Sequence, residues 1–136
     1  MAVAIKRIYE PALPTDGTRI LVDRLWPRGV SKARAKLALW MKEIAPSPEL
    51  RVWFGHRPER FREFGRRYRK ELTGNPALGE LRGLARRERV TLLYGAHDPK
   101  INHAAVLQSI LGGRSTRAVP KAARQPARRR RATAAA

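Results

Sequence analysis

The sequence predicts an α/β fold in which a small, mostly parallel sheet is flanked by helices, as one domain over residues 1–113 followed by a disordered basic tail over 114–136. Three observations lead there. Strand-like runs stand at both ends of a long helical middle, which is the pattern of a layered α/β domain. Ile20, Leu21 and Val22 form the continuous apolar run expected of a strand covered on both faces. The connection from the second strand to the third is long enough for a parallel crossover, whereas the eight-residue loop between the first two cannot hold a crossover helix and leaves their relative direction open.

The first strand is read at residues 3–9, "VAIKRIY", rich in β-branched and aromatic side chains and closed by the proline and Asp-Gly signals of "EPALPTDG". The second is "TRILVD", residues 18–23. Ser31 caps a helix expected to run to about Ile44, because Ala33, Leu37, Trp40, Met41 and Ile44 recur on one helical face and Pro46 stops it. Ser47 then caps a short helix with Pro48 in its first turn and Glu49 near its positive end, finishing near Gly55. From Pro58, the residues Phe61, Phe64, Tyr68 and Leu72 are spaced as a helix face that Gly74 ends, with arginines on the other face. Asn75 and Pro76 open a further helix whose Leu78, Leu81, Leu84 and Ala85 face inward. "RVTLLYGA" gives the third strand, and a last helix runs from about Asn102 to Leu111, ended by Gly112 and Gly113.

A chain of 136 residues is enough for one core, not comfortably for two. With no cysteine, disulfides, thiolate metal sites and a cysteine nucleophile are excluded, and a cytoplasmic location is the expectation. Lys6, Arg7 and Glu10 interrupt the start of the chain, which lacks the apolar core of a signal peptide, and no apolar run approaches the roughly 20 residues a membrane helix needs. The net charge is +19. Residues 114–136 hold eight Lys or Arg and no acid, and the preceding 113 residues keep an excess of 11 positive charges. That tail has no aromatic residue and one valine, so it cannot offset an ordering cost of roughly 1–2 kcal/mol per residue. Its "ARRRRA" run would attract polyanions such as nucleic acid without base selectivity, or serve only as a solubilising extension.

The chemistry-bearing residues gather after the second and third strands. "DRLWPRG" leaves one strand and "GAHDPKINH" the other, and parallel strands would bring both to the sheet edge where open α/β folds bind ligands. Asp23 is a candidate general base, or else an ion-pair partner for Arg24 or Arg28. Arg24 and Arg28 are candidate anion ligands, since a guanidinium grips phosphate or carboxylate with two parallel bonds. Trp26 and Pro27 are read as packing the loop. His103 falls in the first turn of a helix, where free N–H groups favour an anion, and is the candidate acid/base partner of Asp23. Asn102 and His97 are candidate ligand contacts, Asn102 alternatively a helix cap; Asp98 before Pro99 reads as a turn residue, and His56 as a remote third histidine.

"KRIYEP…DGTRILVDRLWPRGVSK", "EIAPSPELRVWFGH", "FREFGRRYRKEL" and "RVTLLYGAHDPKINHAAVL" together resemble the YeaO-like branch of domain-of-unknown-function family 488, from about Lys6 to Leu111. The resemblance implies an α/β fold and a bacterial cytoplasmic protein, and no established activity. A distant branch of that superfamily carries a cysteine at the last strand and a Cys-His-Arg after it. Tyr94 and Asn102, His103, Ala104 stand there in this sequence, so thiol chemistry does not carry over. The resemblance implies that the basic tail is an addition to the family pattern.

Other classes find little support. There is no H-E-x-x-H or calcium loop, so no metal is expected; no phosphate loop or G-x-G-x-x-G, so no nucleotide cofactor; no G-x-S-x-G, so no serine hydrolase. Two readings remain. One is a protein that binds a small anionic ligand at the strand ends, with acid/base chemistry from His103 and Asp23 as an extension. The other is a nucleic-acid accessory protein using Arg62, Arg66, Arg69 and Lys70 with the tail, without the interleaved aromatics that base stacking would need.

Overall fold

The computed structural model describes residues 3–112. Four strands, β1 (Val3–Arg7), β2 (Thr18–Leu21), β3 (Leu39–Trp40) and β4 (Val90–Tyr94), pair in the order β1-β4-β2-β3, and every pair is parallel. The helices are α1 (Lys32–Ala35), α2 (Pro48–Phe54), α3 (Phe61–Leu72), α4 (Pro76–Arg87) and α5 (His103–Ile110). The expected single α/β domain with a small parallel sheet is what forms. The expected tail lies outside the described residues.

β4 is central and all five of its side chains are buried, as a strand covered on both faces requires. On one face Val90, Leu92, Tyr94, Ile20 and Val22 pack beneath α2 to α5, against Phe64, Tyr68, Leu81 and Leu107. On the other, Leu21, Leu93 and Ile8 pack against Ala35, Trp26, Leu37 and Trp40. Burying such a side chain is worth about 1.5–3 kcal/mol each, so the larger, helix-covered layer dominates the stability of the domain.

The direction of the first strand, open from the sequence, is parallel to β2 because β4 inserts between the two. The strands are short, about 17 Å for five residues, so an extended connection can return along the sheet without a helix. It does so through a single 3-10 turn at Pro14–Asp16.

The helix expected from Ser31 to Ile44 is a correction. Ser31 does cap, its Oγ accepting from Arg34 N at 3.1 Å, but α1 ends after four residues and Lys36 turns into the left-handed region at φ 47°. Leu39 and Trp40 then pair with Ile20 and Leu21 as β3, and Met41 N donates to Leu21 O at 2.9 Å. Leu39 packs on the helix-covered layer, Trp40 on the opposite one and Met41 on the first again, an alternation only a strand produces. The open edge of β2 outweighed a helical spacing.

The remaining helices follow their expected signals. Ser47 caps α2 through Leu50 N, and Gly55 ends it at φ 53°. The helix read from Pro58 opens as a 3-10 turn at Pro58–Arg60 before α3. Asn75 caps α4 through Ala77 N, and Asn102 caps α5 through Ala105 N.

Candidate functional site: an aspartate and histidine at the carboxyl edge of the sheet

Because all strands run the same way, the chain leaves β2 and β4 at one edge, and the two loops that follow meet there. Asp23 lies two residues past β2. One carboxylate oxygen, Oδ2, accepts from Gly95 N at 2.9 Å, so it ties β2 to the residue just after β4. The other, Oδ1, lies 3.2 Å from His103 Nε2. Gly95 eases this approach, since a Cβ there would stand 3.0 Å from Oδ2 and force the carboxylate to shift.

His103 is delivered by the first turn of α5, whose capping residue fixes the helix start. Its Nε2 also lies 3.0 Å from Val22 O. A carbonyl can only accept, so Nε2 carries the hydrogen. That hydrogen is directed to Val22 O, and Asp23 Oδ1 is left buried with charge proximity to the ring but no aligned hydrogen bond. Among the described residues Nδ1 has no partner, and it is the ring nitrogen left for a ligand. An imidazole oriented at one nitrogen beside a carboxylate, with the other nitrogen free, can hold or exchange a proton there.

Residues that sequence reasoning did not assign complete the corner. Trp40 Nε1 donates to Asp23 O at 2.8 Å, so β3 also holds the aspartate. Tyr68 lies edge-on to His103, centroids 6.3 Å apart, and donates its hydroxyl to Ile44 O at 2.6 Å. Burial pushes the Tyr68 phenol well above its ordinary range, with the negative charges of Glu71 and Asp23 adding to it against Arg24, so it is a neutral donor. Nothing in the local sequence around Trp40 or Tyr68 distinguishes these from ordinary core aromatics.

The expected arginine clamp is divided. Arg24 turns inward, donating from Nη2 to Ala45 O (3.2 Å) and Pro46 O (3.3 Å), with Nε buried and unpartnered. Arg28 is exposed, and its guanidinium makes no hydrogen bond or ion pair among the described residues. Its carbonyl accepts from Tyr9 Oη at 3.0 Å. Between them, Trp26 Nε1 donates to Val30 O at 2.7 Å and the ring meets Trp40 edge-on at 5.3 Å, while Pro27 is buried, so these two do pack the loop.

In the loop after β4, Asn102 spends both polar atoms on structure, accepting from Ala105 N and donating to Asp98 O, each at 2.8 Å. Asp98 accepts from Lys100 N and Ile101 N, the turn role expected of it; those bonds hold its carboxyl below the usual range. His97 is exposed and uncommitted. His56 is exposed beyond α2, in the left-handed region at φ 57°, with its ring 6.0 Å from Phe54. On α3, Arg62, Arg66, Arg69 and Lys70 are exposed; Arg66 is bonded to Glu63, and Arg69 donates to Ser109 Oγ. Among the described residues no three His, Asp or Glu side chains are placed to hold a metal ion, and no helix is long and apolar enough to cross a membrane.

The class defined by this architecture is an all-parallel open α/β domain whose carboxyl edge carries a carboxylate and imidazole locked between three strands and a helix start. The chain belongs to the family described as the inactive DUF488-N3 subclade, whose model matches residues 2–128. It is 47% identical over 112 residues to an uncharacterised protein of Mycobacterium tuberculosis, covering 82% of this chain and 95% of that one. It is also 44% identical over 108 residues to the uncharacterised protein YeaO of Escherichia coli, covering 79% and 94%. These relatives bear out the YeaO-like resemblance. No solved structure matches the chain.

Proposed function

We propose that the domain binds a small anion, a phosphate or a carboxylate, at the carboxyl edge of its sheet, and that it does so without turnover. The observation that carries this reading is the pair at 3.2 Å: Asp23 and His103 come from loops about eighty residues apart, and their partners are the chain's own Gly95, Val22 and Trp40. Such a pair shapes and stiffens a site. Arg28 and His97, exposed and uncommitted, supply the positive charge and the donors that an anion needs. His103 Nδ1, an acceptor while Nε2 holds the ring hydrogen, suits a hydroxyl of the ligand, such as that of a monoprotonated phosphate. The family's description as inactive favours binding over the acid/base chemistry that the same pair would otherwise support.

Thermal unfolding with and without inorganic phosphate, at constant ionic strength, tests the reading. A ligand at about ten times its Kd adds roughly 1.4 kcal/mol to stability, which corresponds to a rise of several degrees for a domain of this size. Wild type should show that rise with phosphate and not with matched chloride, and Arg28→Ala should lose most of it. Equal midpoints for wild type in the two salts would remove the reading.

A further inference from the structure

The sheet face under α1 carries more positive charge than its own acids neutralise, and a hollow opens beside that excess. Lys6 and Arg19 both stand on this face with Asp16, whose Oδ1 lies 3.1 Å from Lys6 Nζ and whose Oδ2 lies 2.5 Å from Arg19 Nη1. Arg19 Nε donates to Ala35 O at 2.9 Å, but its Nη2 is buried without a partner among the described residues, on a side chain only 6% exposed. Two cations therefore share one carboxylate inside the fold, and one guanidinium nitrogen is unspent. Lys6 also donates to Pro11 O at 2.7 Å, so the cluster hangs from the chain at Pro11 and at Ala35.

The same two segments wall a hollow of about 220 Å³, with residues 8–12 on one side and Val30, Arg34 and Lys36 on the other. Ile8 and Val30 belong to the apolar layer beneath, Arg34 and Lys36 are exposed cations, and Glu10 is the acid of the lining. Lys36 is the left-handed residue, φ 47°, that ends α1, its N–H donating to Lys32 O at 3.2 Å. Tyr9, also in the lining, donates its hydroxyl to the backbone carbonyl of Arg28, which ties this wall to the loop after β2.

We propose that this hollow is a second anion seat, separate from the Asp23–His103 corner, and that its ligand is a small organic anion whose carboxylate or phosphate monoester faces Arg34 and Lys36 while its apolar body lies on Ile8 and Val30. It goes beyond the anion-binding reading above, which concerns the corner at Asp23 and His103. The volume falls below the roughly 300–1,000 Å³ of pockets for drug-sized molecules, so it suits about one ring or short chain bearing a single anionic group.

Titration of the isotope-labelled full chain with phenyl phosphate, followed by amide chemical shifts and repeated with inorganic phosphate, tests this. The shifts should centre on residues 8–12 and 30–36, and phenyl phosphate should bind more tightly than inorganic phosphate. Arg34→Gln with Lys36→Asn should weaken binding by about fivefold or more; asparagine tolerates the left-handed backbone, so the fold should survive. Arg86→Gln with Arg87→Gln, an equal charge change on exposed residues of α4, should leave affinity unchanged. Should the double variant unfold, Lys36→Gly alone gives the same readout with relaxed backbone. Shifts centred on His97 and His103, with affinity indifferent to Arg34 and Lys36, would overturn the seat and leave anion binding standing. No shift with either compound would overturn both.

Discussion

Asp23 makes three contacts: its carboxylate receives Gly95 N and faces His103 Nε2, and its backbone carbonyl accepts from Trp40 Nε1. Removing the side chain leaves the Gly95 N–H without its acceptor, and an orphaned donor costs about 1–3 kcal/mol. Asp23→Ala should therefore lower unfolding stability by roughly 2–3 kcal/mol, read as an earlier urea midpoint with unchanged slope; a loss under about 0.5 kcal/mol would mean the contacts are incidental. The meeting of Asp23 with His103 was legible from residue order alone, because two parallel strands place their exits together. What was not legible is the split between Arg24 and Arg28: whether a guanidinium turns inward depends on carbonyls at Ala45 and Pro46, and nothing near residue 24 announces them.

Among elements, α5 shows how a helix start positions chemistry. Asn102 accepts from Ala105 N and donates to Asp98 O, thereby fixing both the first turn that carries His103 and the loop before it. Asn102→Ala should cost about 1–2 kcal/mol by thermal or urea unfolding, with Asn102→Asp recovering part of it because the acceptor to Ala105 N is retained; equal losses for the two would argue against the cap as the cause. The capped helices α2, α4 and α5 could be read from their signals, since Ser47, Asn75 and Asn102 act within a few residues of themselves. The stretch after Ser31 could not. Its apolar spacing suits a helix, and the competing partner that makes Leu39 and Trp40 a strand, the edge of β2, lies some twenty residues away in sequence.

For the whole molecule, the common direction of the strands decides which residues meet. Because every strand pair is parallel, all strand exits share one edge, and Asp23 meets His103 there. The sequence pattern of strands around a helical middle predicted the layers; the position of β4 came from pairing over long separations, which local spacing does not encode. The most direct test of the resulting claim is a phosphate soak of crystals of the full chain. The account predicts a tetrahedral difference peak at the carboxyl edge, within hydrogen-bond reach of the Arg28 guanidinium. A peak confined to the opposite ends of the strands or to the arginines of α3, or no peak at all, would contradict it.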